Sequence, residues 1–317
     1  MSKNKLSLGI DTSNYKTSVA VVDSEGNILF NCQEFLHVKN GERGLRQSDA
    51  LFQHIQKLPE IIEKALEQDI IRENIGCISV STRPRPVEGS YMPVFTAGIN
   101  CARVLSASLN VPLFSFSHQE GHIEAVKYYS SLKSITKPFV CFHFSGGTTE
   151  AILVDYDKQL FEIVGGSRDL AYGQVLDRIG VSLGMDFPCG EEMDRIACSG
   201  GPAKGIFTKI KVNDCYVNLS GIETQGQRFL GSHPTEQIIG NLFSTLAQSI
   251  GQMTVQIAEK YQVEDFIFAG GVSSSKYIRN YLNKTLPKHL NIVFGDAKLS
   301  QDNAIGTALL GGHQIWL

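Results

Sequence analysis

Short apolar runs broken by polar turns fill the first thirty residues of the chain. Leu6 to Ile10 and Ser18 to Val22 are apolar, Asp23-Ser24-Glu25-Gly26-Asn27 has the composition of a turn, and Ile28-Leu29-Phe30 resumes the apolar pattern. Runs of this length with such punctuation predict a meander of three strands. The pattern returns 132 positions later, as Phe139 to Phe144, a Ser-Gly-Gly-Thr-Thr turn, Ala151 to Val154, Asp155 to Lys158 and Leu160 to Val164. Under that shift Thr17 falls on Thr149, Val22 on Val154 and Asp23 on Asp155. A register shared by strands and turns points to an internal duplication. Each meander leads into helical and strand-like segments. In Ser48 to Gln68, for example, His54, Ile55, Leu58, Ile61, Ile62 and Ala65 recur on related helical faces before the strand-like Ile75 to Ser79. The chain therefore reads as two α/β domains whose hairpin turns are expected to converge on one ligand cleft.

Length and composition fit this reading. A chain of 317 residues suits two domains of about 150 residues, each large enough to fold without disulfides. Hydrophobic residues at 42% and charged residues at 19% describe a globular protein, and no run of about 18 apolar residues is present to span a bilayer. The apolar run after Met-Ser-Lys-Asn-Lys is too short for the hydrophobic stretch of a signal peptide, so a cytoplasmic protein with no membrane partner is expected. Seven scattered cysteines with no C-x-x-C pair suggest reduced thiols and no cysteine metal site. A net charge of −3 offers no global attraction to nucleic acid, so RNA binding would need a local basic patch or a partner subunit.

Three turns have the composition of phosphate or metal sites. Asp11-Thr12-Ser13-Asn14 puts a carboxylate and hydroxyls at a hairpin tip. Ser145-Gly146-Gly147-Thr148-Thr149 offers backbone N–H groups unshielded by side chains, and Ala269-Gly270-Gly271-Val272-Ser273-Ser274-Ser275 lies between the strand Phe266-Ile267-Phe268 and a helix from Lys276 to Leu282. None matches the P-loop or dinucleotide fingerprints, and each alone reads more readily as a plain turn than as a ligand loop. Together in a duplicated fold they favour nucleotide binding. His118 and His122, four apart at the start of a helix, put two imidazoles on one face where they could share a metal; a pair of ordinary core or surface histidines is the competing reading. Gln119 stands where the zinc-protease motif requires Glu, which excludes that mechanism. Asp302, just before the apolar helix Ala304 to Leu310, is a plausible third ligand.

At these residues the chain resembles the TsaD family, whose archaeal and eukaryotic relatives form the core of the KEOPS complex. Leu8 to Ser13 is similar to the family's L-G-I-E-T-S and Ser117 to His122 to its H-H-M-E-G-H. Phe144 to Gly147 is similar to V-S-G-G, Val164 to Asp177 to G-E-S-x-D-D-A-x-G-E-A-F-D, and Leu219-Ser220-Gly221 to F-S-G. Ala269 to Ser273 and Asp302-Asn303 are similar to A-G-G-V-S and T-D-N. The resemblance implies an actin and sugar-kinase-like (ASKHA) fold, with one α/β domain in residues 1–130, a second in 131–290, and a segment 291–317 that carries the last metal ligand back to the first domain. It implies that His118, His122 and Asp302 hold one divalent ion, iron or zinc; beside it, Asp11 as catalytic group and Asp177 read as proton acceptors or positioning groups, or equally as caps of turn or helix N–H groups. It also implies that Ser145, Gly146, Gly147, Thr148, Thr149, Asp177, Gly190, Gly270, Gly271 and Ser275 hold an adenylate donor such as threonylcarbamoyl-AMP, with ATP as a further ligand. The implied reaction is metal-dependent transfer of threonylcarbamoyl to the adenosine at tRNA position 37, with tRNA and TsaB-like and TsaE-like proteins as partners.

The departures from the family pattern fall in the expected cleft. Asn14-Tyr15-Lys16-Thr17 replaces C-D-E-T, Thr148 replaces a histidine, and Ser275 replaces an asparagine. Thr82-Arg83-Pro84-Arg85-Pro86-Val87-Glu88-Gly89-Ser90 replaces a glycine-rich loop, and its prolines remove backbone donors while its arginines offer side-chain ones. These changes suggest a divergent paralogue. They leave open a carbamoyl transferase with another acceptor and a non-catalytic TsaB-like assembly partner, the latter weakened by the kept metal motif. A sugar or acid kinase shares the fold but has no use for the histidine pair.

Overall fold

The computed structural model describes residues 5–13, 15–37, 45–87, 89–158, 160–200, 205–295 and 304–316. The chain forms two compact units, Met1–Tyr129 with Leu299–Leu317, and Ser130–Lys298. The first part runs β1 (Leu6–Thr12), β2 (Lys16–Val22), β3 (Ile28–Phe35), α1 (Gln47–Leu66), α2 (Asp69–Arg72), β4 (Ile75–Arg83), α3 (Phe95–Leu109), β5 (Leu113–Ser117) and α4 (His118–Tyr128). The second unit adds β6 (Phe139–Phe144), β7 (Thr149–Asp155), β8 (Leu160–Ser167), α5 (Tyr172–Ser182), α6 (Gly190–Ser199), β9 (Tyr216–Val217), α7 (Ser220–Phe229), α8 (Thr235–Tyr261) and β10 (Asp265–Ala269). A single 3₁₀ turn, Val272–Ser274, then leads to α9 (Lys276–Thr285) and β11 (Asn291–Phe294). The chain ends in α10 (Ile305–His313), which belongs to the first unit.

The strand orders are β3-β2-β1-β4-β5 and β11-β10-β6-β7-β8-β9. In each sheet an antiparallel meander is extended by a parallel strand, β4 on β1 and β10 on β6. The duplication inferred from sequence holds residue by residue in the first hairpin. Ser7↔Val22 through Thr12↔Thr17 on β1 and β2 become Phe139↔Val154 through Phe144↔Thr149 on β6 and β7 under one shift of 132.

Strand alternation decides what each face of the first sheet touches. Leu6, Leu8 and Ile10 pack with Val19 and Val21 against Leu58, Ile61 and Ile62 of α1 and Ala102 of α3. Burying such side chains contributes roughly 1.5–3 kcal/mol each. Ile55 lies at the edge of the apolar stripe of α1 and is 55% exposed, unlike the other residues of the expected face. The odd residues of β1 meet α10. A Cβ on Gly9 would stand 2.5 Å from the Ala304 carbonyl oxygen and 2.6 Å from Ala308 N, so glycine is what lets the helix lie directly on the strand. Asp11 shares this parity. In the second unit Val140, Phe142, Phe144, Phe266 and Phe268 form a core with Leu246, Ile250 and Met253 of α8.

Candidate functional site

The histidine pair is set by the way α4 begins. Ser117 accepts from Glu120 N at 3.1 Å, and the Glu120 carboxylate accepts from Ser117 N at 2.6 Å, a reciprocal capping box that fixes the first turn. Arg83 lies 3.7 Å from the same Glu120 carboxylate, so one arginine of the proline-rich loop is engaged with this cap. With the turn fixed, His118 and His122 share a face, their Nε2 atoms 2.9 Å apart and their rings edge to face. Two nitrogens on a tetrahedral zinc at 2.0–2.1 Å would be about 3.3 Å apart, so the pair needs to open only slightly to hold one ion.

Behind this pair sits Asp11, only 1% exposed. Its Oδ1 accepts from His118 Nδ1 at 2.8 Å and from the Ser81 hydroxyl, while its buried Oδ2 has no hydrogen-bond partner among the described residues. Ser81 lies at the end of β4, beside β1 in the parallel pairing, and nothing in its local sequence marks it. The expected third ligand, Asp302, lies outside the described residues, as do Asn14 and Glu88. Among the described residues no group of three or more His, Cys, Asp or Glu side chains gathers as a metal site. Two imidazoles with converging Nε2 atoms and a carboxylate on the far nitrogen are nonetheless a donor set that fits iron or zinc.

A fully buried histidine fastens the β1–β2 turn. His54 of α1 reaches the Ser13 carbonyl through Nε2 and Thr17 Oγ1 through Nδ1, both at 2.8 Å. A carbonyl only accepts, so Nε2 carries the hydrogen and Nδ1 accepts from the Thr17 hydroxyl. Burial lowers the pKa of His54, which keeps the ring neutral. From sequence it counted only as part of the apolar face of α1.

The second unit contains a cavity of about 1170 Å³. Of the residues expected to hold the adenylate, Gly146, Asp177, Gly190, Gly271 and Ser275 line it. Ser145, Gly147, Thr148, Thr149 and Gly270 belong to the turns that shape it. Ser145 Oγ accepts from Gly147 N at 3.3 Å and Thr148 N at 3.0 Å, so the hydroxyl takes the two amides an anion would take and holds the turn open. Thr149 Oγ1 accepts from Tyr172 N, the first residue of α5, at 2.9 Å. Gly270 has φ +90°, and a Cβ there would collide with the Phe144 carbonyl, so no other residue serves. Gly271 has nothing within 4 Å of its would-be Cβ. Gly173, which lies outside the three turns, is also required. Its Cβ would stand 2.5 Å from the Ser145 carbonyl oxygen and 2.6 Å from Gly146 Cα, so α5 seats the turn by having no side chain there.

Carboxylates dominate the cavity wall. Asp177, Asp186, Glu191, Glu192 and Asp194 face Arg195 and Lys276. Such a wall repels a polyphosphate and suits the hydroxyl donors of a nucleoside. Asp177 Oδ1 accepts from Cys189 N at 2.9 Å. Asp194 accepts from Ser275 Oγ at 2.5 Å, Lys276 N at 2.9 Å and Tyr277 N at 3.1 Å, and thereby fills the positive N-terminus of α9 with an internal anion. Ser275, which stands where the family has asparagine, is thus the N-cap of α9 and is bound to Asp194.

Solved structures share this fold at low sequence identity. HypF from T. kodakarensis superposes with a TM-score of 0.63 at 14% identity, over 98% of this chain and 48% of that one. Component A of (R)-2-hydroxyglutaryl-CoA dehydratase from Acidaminococcus fermentans gives 0.57 at 14%, over 98% of both chains. A ROK family glucokinase from Streptomyces griseus, in complex with glucose and AMPPNP, gives 0.53 at 12%, over 97% of this chain and 99% of that one. These likenesses establish the ASKHA fold. In sequence, the protein named tRNA N6-adenosine threonylcarbamoyltransferase from Neorickettsia sennetsu is 30% identical over 314 residues, 95% of this chain and 91% of its own. The protein of the same name from Thermosipho africanus is 29% identical over 316 residues, 96% of this chain and 92% of its own. No helix among the described residues is long and apolar enough to cross a membrane. The family model described as TsaD, tRNA N6-adenosine threonylcarbamoyltransferase, matches residues 30–309, and with that span matched the chain belongs to the TsaD family.

Proposed function

We propose that this protein transfers a threonylcarbamoyl group from threonylcarbamoyl-AMP to the exocyclic amine of adenosine at tRNA position 37. The amine nitrogen forms a bond to the carbamoyl carbon, the bond from that carbon to the phosphate oxygen breaks, the amine loses a proton, and AMP leaves. The observation that carries the reading is the 2.9 Å convergence of the His118 and His122 Nε2 atoms in a chain of this family. His118, His122 and Asp302 would hold one iron or zinc ion. When bound, that ion supplies Lewis-acid polarisation of the carbamoyl carbonyl.

The chain's own residues do the rest by positioning. The cavity lined by Gly146, Asp177, Gly190, Gly271 and Ser275 takes the adenosine of the donor, its carboxylates accepting from hydroxyls. The Ser145–Thr148 turn takes the phosphate that becomes the leaving group, its amides turning from Ser145 Oγ to the anion. Asp11, with Oδ1 committed to His118 and Ser81, serves as a positioning group more readily than as a free base. With a net charge of −3, tRNA docking calls on a local basic patch or on partner proteins of the TsaB-like and TsaE-like kinds.

The test is to incubate the purified protein, its family partners, threonylcarbamoyl-AMP and tRNA, and to measure threonylcarbamoyladenosine in digested tRNA. Modification that is lost in His122→Ala is the expected result. Absence of the modified nucleoside with wild-type protein and all partners present would overturn the proposal.

A further inference from the structure

Asp11 combines features that need a joint explanation. It is a carboxylate with 1% exposure, and one of its oxygens accepts twice while the other, also buried, accepts from nothing among the described residues. Buried polar atoms are ordinarily satisfied, and an exception calls for a reason. Its two donors come from separate elements, Ser81 at the end of β4 and His118 at the start of α4. Neither contact extends the sheet or caps a helix, so the arrangement does no work for secondary structure.

The donors fix the chemistry of the chain of contacts. The Ser81 hydroxyl donates to Asp11 Oδ1, and a carboxylate can only accept, so His118 Nδ1 carries a hydrogen and donates as well. A neutral imidazole protonated on Nδ1 has its lone pair on Nε2. For that neutral ring the 2.9 Å contact between the two Nε2 atoms runs from His122 Nε2–H to His118 Nε2.

We infer that Ser81 and Asp11 form a positioning relay that fixes His118 in the Nδ1–H tautomer, so that its Nε2 is a ready donor atom before any cation arrives. His122 is the member whose hydrogen must move when a cation enters. The Asp11 carboxylate, one hydrogen bond behind His118, fixes the orientation of that ring, as carboxylates behind metal-bound histidines do. The inference rests on the metal reading of the His118–His122 pair, and it assigns roles to Asp11 and Ser81 that the reading itself does not require.

Two measurements on the full chain test it separately. In metal-stripped protein labelled with ¹⁵N-histidine, long-range ¹H–¹⁵N correlation reads the tautomer of each ring. His118 is expected to show a protonated Nδ1 and a bare Nε2 in wild type, and a mixture of tautomers in Asp11→Ala. Zinc affinity is then measured by chelator competition. Asp11→Asn, which keeps an acceptor but removes the charge, is expected to bind about 10–100-fold more weakly. Ser81→Ala, a smaller change that keeps the fold if Asp11→Asn does not, is expected to bind several-fold more weakly. A wild-type His118 protonated on Nε2 overturns the relay whatever the metal result. Zinc binding of equal strength in wild type, Asp11→Asn and Ser81→Ala overturns it while leaving the metal reading intact. Wild-type protein that binds no zinc or iron, with the expected His118 tautomer, overturns the metal reading and keeps the relay as a feature of the apo site.

Discussion

Gly121 and Gly306 bring α4 and α10 into backbone contact: a Cβ on Gly306 would stand 2.6 Å from the Gly121 carbonyl carbon and 2.9 Å from Ala125 N. The helix that carries both histidines is therefore seated directly on the helix that follows Asp302. Gly306→Ala has no room without separating the two. The expected cost is on the order of 1–3 kcal/mol, as for overpacked cores, read as a lower denaturant midpoint with an unchanged slope. Stability equal to wild type would show that the helices can part freely.

Gly271 presents the opposite case. A Cβ there meets nothing within 4 Å, yet the residue lines the cavity. Gly271→Val is expected to leave the melting temperature within a few degrees of wild type while weakening adenylate binding about ten-fold or more, because the side chain occupies ligand space. Calorimetric titration with AMP checks this, and a folded variant with unchanged affinity would refute the placement of the adenosine.

Gly173→Ala should act on the same binding through another route. Its Cβ would press on the Ser145 carbonyl at 2.5 Å, so the turn must move before any ligand is present. Weaker AMP binding is expected together with changed amide signals for Ser145 to Thr149 in the ligand-free protein. Weaker binding with those signals unmoved would place the defect elsewhere.

Acid should destabilise the fold in two windows. Burial holds the pKa of His54 below its usual 6.5, so the unfolded chain takes up its proton first and stability falls as pH drops below about 6.5. Asp169 is opposed by partial burial but accepts from Leu219 N, Leu170 N and Ser220, and its pKa is lowered to about 2. Its stabilising effect is complete above the unfolded value of about 3.9 and fades as pH falls toward 2. Urea midpoints measured from pH 8 to 2.5 should lose the upper step in His54→Gln and the lower step in Asp169→Asn. A profile unchanged by either substitution would mean that other groups govern acid unfolding.

Local pattern carried much of this structure. Short apolar runs and turn residues marked both meanders, and because a hairpin's register follows from its turn, the shared offset of 132 foretold the pairing in the second sheet from the first. The i, i+4 histidines met because the helix period demands it, whereas the Ser117–Glu120 capping box that fixes their turn was not singled out beforehand. What local pattern could not show were contacts made by chain crossover. Ser81 reaches Asp11 across 70 positions through a parallel pairing, and Asp194 reaches the α9 N-terminus across more than 80. Gly173 looked like any helix-start glycine until the carbonyl of Ser145 was seen against it. Ile55 matched the helical stripe of α1 by type but stands at its margin, where a rotation of a few tens of degrees separates core from solvent.

The repeated hairpin register has an evolutionary reading. Thr12↔Thr17 and Phe144↔Thr149 each enclose four residues, so the two tips are inserts of one length between strands that pair identically. Such a tip works as a cassette set between paired strands, tied to the sheet in the first copy where Lys16 pairs with Phe35 of β3 and Tyr15 O accepts from Leu36 N. Asp11 and Ser18 in one hairpin occupy the places of His143 and Glu150 in the other. After duplication, each copy was therefore free to specialise at its end, one tip standing next to a buried carboxylate on β1 and the other built around a glycine pair, while the scaffold under both stayed under common constraint. A relative that has changed its substrate would be expected to differ in these two cassettes before it differs in the strands.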